Sequence, residues 1–142
     1  MRSRSTLALM LGSLLIAVPA AAAPPACTIA VDECVKTLIA ETAGVMSECG
    51  HLFPEAREIF EKALQNWPVL KLPIPGLAPL MDETSIFRVQ WRQTARERLA
   101  GLPASERQAV CSRRLAMLTQ PEPTLMGDSV SLPADALKKY SK

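Results

Sequence analysis

The sequence predicts an all-α fold, a small disulfide-linked bundle of about four helices with a proline-rich crossover between the second and third. Three observations carry this. Apolar residues recur at steps of three and four in four separate segments, and no alternating run of useful strand length occurs. Proline, glycine and capping residues bound those segments. Four cysteines, at 27, 34, 49 and 111, follow an export-type N-terminus, where an even count reads as two disulfides.

Residues 1–23 read as a signal peptide. Arg2 and Arg4 are the basic start, an apolar run covers 6–18, and Ala20–Ala23 supply the small-residue cleavage site. The alanine-rich cleavage region is of the bacterial kind, so the expected destination is the periplasm or the exterior. Pro19, Pro24 and Pro25 and the weakly apolar alanines argue against a retained transmembrane anchor, and no second segment of spanning length follows. Cys27 lacks the aliphatic residue that a lipid-modified cysteine wants three positions earlier. Cutting after Ala23 leaves 119 residues with 14 bases and 14 acids. That neutrality excludes a dedicated nucleic-acid binder, and the length fits one domain, a helical unit over 24–120 with a loosely ordered tail over 121–142.

Helix one is expected from the N-cap Asp32 to Gly50, with apolar or small residues at 31, 35, 38, 42, 45 and 49. Gly44 is the one residue within it that could break it. If the helix is continuous, Cys34 and Cys49 lie roughly 22 Å apart at 1.5 Å per residue, beyond the ~7 Å reach of a bridge. Cys27 precedes the helix and Cys49 ends it, so that pair is excluded for the same reason. Cys27–Cys34 with Cys49–Cys111 is the pairing that remains. Metal binding is the competing use, but no C-x-x-C occurs and His51 is the sole imidazole.

Helix two opens at Pro54 and ends at Pro68, with Ala56, Ile59, Phe60, Ala63, Leu64 and Trp67 as its apolar face. Residues 68–81 hold four prolines among seven apolar side chains, a pattern of an extended crossover that lays its aliphatics over the helices. Helix three follows from Thr84 or Ser85 to Ala100, with Phe87, Trp91, Ala95, Leu99 and Leu102 as its buried stripe. Helix four starts at Ser105 in a capping-box pattern with Gln108 and reaches Gln120. Trp67 and Trp91 are both expected to be largely buried. One short helix over 133–140 is all the order foreseen in the tail.

The catalytic inventory is poor, and the chain is read as a non-enzyme. No nucleophile elbow, zincin motif, phosphate-cradling glycine loop or dinucleotide fingerprint is present, so no cofactor is implied. The alternative is a small carboxylate-based hydrolase using Glu41, Glu48 and His51. At their spacing on a polar face, though, the two glutamates read first as solvated charge.

Charge asymmetry says more. Cys27 to Lys62 carries seven acids against three bases, and Arg88 to Arg114 seven bases, all arginine, against two acids. Arg88, Arg92 and Arg96 step by four along helix three, and Arg107, Arg113 and Arg114 sit on helix four. One reading pairs them with the acidic helices inside the bundle. The other makes them a surface for an acidic protein or an anionic envelope component. The function expected is an exported protein-binding or envelope accessory role, an inhibitor or neutraliser of another envelope protein being one form of it.

Overall fold

A computed structural model of the chain describes residues 23–141, so the expected signal segment falls, but for Ala23, outside the described residues. Five α-helices are found among the described residues: α1 (Val31–Leu52), α2 (Arg57–Gln65), α3 (Leu77–Met81), α4 (Ile86–Ala100) and α5 (Ala104–Leu118). The only strand-like pairing there is an isolated parallel bridge, Ala26 with Ser131. None of these helices is long and apolar enough to cross a membrane.

The first helix is the axle of the bundle, packed by α4, α2 and α5. It starts at Val31 with Ala30 as an N-cap that offers no side chain, while Asp32 and Glu33 in the first turn complement the helix dipole. Because three helices and the tail surround it, nearly every residue from Cys34 to Gly50 is buried, far more than one apolar stripe. Gly44 does not break it. A Cβ there would stand 2.7 Å from the backbone carbon and oxygen of Trp91 and 2.9 Å from the Arg92 nitrogen, so this glycine marks the point where α1 and α4 touch backbone to backbone.

The two disulfides are those expected from helix length. Cys27–Cys34 spans 6.2 Å between Cα atoms and clips the incoming chain to the first turn of α1. Cys49–Cys111 spans 5.8 Å and ties the end of α1 to α5.

Several local expectations are corrected. Pro54 opens a 3-10 turn, Pro54–Ala56, and the α-helix proper begins at Arg57. Phe60 is buried and Ile59 exposed, so the apolar face of α2 is narrower than its spacing implied. The crossover is extended only in part: it holds a 3-10 turn, Pro68–Lys71, and the five-residue α3. Pro79 is tolerated there because first-turn positions have no intrahelical acceptor for their N–H. Gly76, with φ 75°, supplies the left-handed turn before it. Val69, Ile74, Leu77 and Leu80 bury their side chains against the bundle.

At the start of α4, Ser85 Oγ accepts from the Arg88 amide at 3.2 Å. By contrast α5 opens at Pro103, whose carbonyl accepts from the Glu106 and Arg107 amides at 3.0 Å each; Ser105 lies inside the first turn and caps nothing.

The segment after α5, expected to be loosely held, is pinned to the bundle at four places. Trp67, fully buried, donates Nε1–H to the Thr124 carbonyl at 3.1 Å. Glu41 accepts from the backbone of Asp128 and Ser129. Cys27 donates to the Ser131 carbonyl, and Ser131 to that of Pro25. Tyr140 closes the segment through a hydroxyl bond to Asp32, in a 3-10 turn, Lys138–Tyr140, where a short helix was expected.

Candidate functional site

Each charged residue singled out in the sequence has a definite place. Glu41 is 3% exposed on α1, between α5 and the tail. Its carboxylate accepts from the Asp128 amide at 2.7 Å, from Ser129 Oγ at 2.5 Å and from Arg114 Nη2 at 3.3 Å. Arg114, also buried, spends its remaining donors on Asp128 Oδ2 at 2.7 Å and on the Met126 carbonyl. Arg98 reaches the same Asp128 oxygen at 2.6 Å. Burial on its own would raise the Asp128 carboxyl, but the two guanidinium groups outweigh it and hold the group below the usual carboxylate range. This network fastens the tail to α1, α4 and α5, buried at Glu41 and Arg114 and open to solvent at Asp128 and Arg98.

Glu48 is also 3% exposed, covered by α4, with the half-exposed Arg96 at 3.5 Å. The expectation that both glutamates are solvated is therefore corrected: Glu41 is covered by α5 and the tail and Glu48 by α4, and each carboxylate is buried with an arginine. His51 stands exposed near the end of α1, and neither cavity described below is lined by Glu41, Glu48 or His51. Among the described residues no group of three or more His, Cys, Asp or Glu side chains is placed to hold a metal ion.

The six arginines divide. Arg96 and Arg114 pair with the acids of α1, and Arg88, half-buried, donates to the Met81 carbonyl at 2.9 Å. Burial also lowers the pKa of Arg88 from the ordinary guanidinium value. Arg92, Arg107 and Arg113 enter no ion pair among the described residues. Half of the six arginines thus have partners within the bundle.

What the structure leaves uncovered is the N-terminal half of α4. Ile86 is 66% exposed, Phe87 55% and Val89 46%, three large apolar side chains within one turn. Beside them lies a cleft of about 320 Å³, floored by Ala40 of α1 and Leu80 of α3 and walled by Phe87 and Trp91. The Lys36–Glu33 pair, 2.7 Å apart, sits at its edge. The hydroxyls there are committed: Thr37 Oγ1 donates to the Glu33 carbonyl, and Ser85 Oγ to that of Leu80. The cleft therefore offers shape and apolar surface and no activated nucleophile.

Two expectations change here. Phe87 is not in the core, and Trp91 is half-buried at the cleft wall: α3 meets the start of α4 through Leu80 and Met81, and between these elements and α1 the cleft stays open on the side of Phe87. Ile86 and Val89 are the residues that sequence reasoning passed over. Their signal was present, since both are large and apolar yet fall outside the stripe through Ala95 and Leu99.

Comparison with protein-family models, with curated proteins and with solved structures finds no match to this chain. The functional reading therefore rests on the site alone.

Proposed function

We propose that this chain is an exported, non-enzymatic accessory protein that acts by binding another envelope protein through the first half of α4. The single observation that carries the reading is the apolar cluster Ile86, Phe87 and Val89, exposed together beside the Trp91 cleft. Isolated exposed aliphatics are ordinary; three in one turn next to a preformed cleft are the anatomy of an interface centre. Burying side chains of this size is worth about 1.5–3 kcal/mol each when complete, enough for a small patch to contribute most of an affinity. Arg92 lies on the flank it shares with Val89 and adds an unpaired charge that favours an acidic partner.

Export is supported by the N-terminal sequence and by two disulfides, which persist in oxidising compartments. Neutralising or inhibiting a partner is one form of such a role, and a structural accessory of the envelope is another that a small stapled domain fits.

The test is site-specific photocrosslinking in the envelope of the producing cell. A photoreactive residue at Gln90, exposed between Ile86 and Phe87 on the helix surface, is expected to give one adduct of discrete mass; the same residue at Glu61 on α2 is expected to give none. No adduct from position 90, or the same adducts from both positions, would refute the assignment.

A further inference from the structure

A second cavity, of about 1170 Å³, lies on another part of the molecule, between the end of α4, the length of α5 and the segment 122–141. Its volume slightly exceeds the usual range of small-molecule sites, roughly 300–1,000 Å³. The tail makes its wall without filling it. The pins at Glu41, Cys27 and Asp32 hold that segment against the α1 side, so it arches over α5. Five aliphatic side chains that face the space, Leu102, Val110, Val130, Leu132 and Leu137, are only half-buried, although each touches the core from behind.

Charge at the cavity has a sign. Four cations line it, Arg98, Arg113, Arg114 and Lys138, against two acids, Glu122 and Asp128. Arg98 and Arg114 are satisfied by Asp128 and Glu41, whereas Arg113 and Lys138 are exposed and enter no ion pair among the described residues. An aliphatic trough with two unpaired cations matches a molecule that has a long hydrocarbon chain and an anionic head.

We infer that the space beneath the tail is a binding site for a free long-chain fatty-acid anion, its chain along Leu102, Val110 and Leu137 and its carboxylate held by Arg113 and Lys138. This site is separate from the α4 patch and does not depend on the reading given to that patch. The ligand enters a cleft whose backbone wall is fastened by the Glu41 network, so affinity and tail attachment are coupled.

The experiment uses the purified protein with both disulfides formed and cis-parinarate as a fluorescent occupant, displaced by oleate kept below its micelle concentration. The expected result is saturable one-to-one displacement by oleate, with oleyl alcohol at least ten-fold weaker. Val110→Trp, which narrows the trough where the chain is placed, is expected to weaken displacement; the exposed pair Arg113→Gln with Lys138→Gln is expected to weaken oleate about ten-fold and leave the alcohol unchanged. Should Val110→Trp unfold the protein, the Gln pair still decides, since its positions lie at the surface. The inference is overturned by absence of saturable binding, by equal affinity for oleate and the alcohol, or by an unaltered Gln variant. Loss of oleate binding on Phe87→Ser would also overturn it, because that would place the lipid at the α4 cleft.

Discussion

Gly44→Ala is expected to destabilise the protein, against the sign that helix propensity gives. In an exposed helix interior the change would stabilise by about 1 kcal/mol, since glycine is the costlier residue there. Here the new Cβ would meet the Trp91 carbonyl carbon and oxygen at 2.7 Å and the Arg92 nitrogen at 2.9 Å. These are backbone atoms, which no rotamer change can move aside. Relief requires α4 to withdraw from α1 by several tenths of an ångström, loosening Ala95 and Leu99, both buried in the same contact. Overpacking of this kind costs typically 1–3 kcal/mol, and rigid backbone places it at the upper end. Net of propensity, the loss is about 2 kcal/mol, which for a domain of this size lowers Tm by roughly 8 °C. Urea unfolding followed by helical circular dichroism measures it directly. A neutral or stabilising result would mean that α1 and α4 do not cross at Gly44, and the close-packed axle would be wrong.

Two further predictions concern the tail. Arg114→Leu leaves the buried Glu41 carboxylate without its cation and is expected to cost about 3–5 kcal/mol, as breaking one side of a buried pair does; a loss under ~1 kcal/mol in the same unfolding assay would show the network to be exposed. Asp32 and Asp128 both have carboxyls held below their unfolded value, Asp32 chiefly by its bonds from Lys139 and Tyr140 and Asp128 by its two arginines against the opposing effect of burial. Their contribution is thus present above the unfolded carboxylate pKa of about 4 and is lost as pH falls through the lower folded values. Melting temperature followed from pH 7 to 2 should fall over that range, less steeply in Asp128→Asn; identical profiles would contradict the assignment.

Much of this was legible in the sequence because it depends on spacing alone. The helical period of 31–49 showed one continuous helix there, although α1 runs through the expected stop at Gly50 to Leu52, and that continuity removed two disulfide pairings, so the bridges followed. Ser85 and Gly101 placed the boundaries of α4 to within two residues. What escaped depends on the surroundings of a helix, which spacing does not encode. Glu41 and Glu48 lie on a polar stripe by sequence, yet their burial is decided by α4, α5 and a tail some ninety residues away. The tail itself carries no period, being fastened by backbone N–H groups and single side chains such as Ser129. Phe87 fits the core stripe by spacing and is exposed because it borders the open cleft between α1, α3 and α4. The arginines could be counted but not sorted, since which of them meets an acid depends on how α1 is rotated against α4 and α5.

The claim that α4 serves two ends, core on one side and binding on the other, is tested most directly by Phe87→Ser, measured for Tm and for affinity toward the protein crosslinked at position 90. Phe87 is more than half exposed, so the fold should keep its melting temperature to within a few degrees. Affinity should fall at least ten-fold, and wild-type binding should weaken as salt rises through the loss of attraction to Arg92. Unchanged affinity with unchanged Tm would contradict the account, and a large drop in Tm would place Phe87 in the core after all.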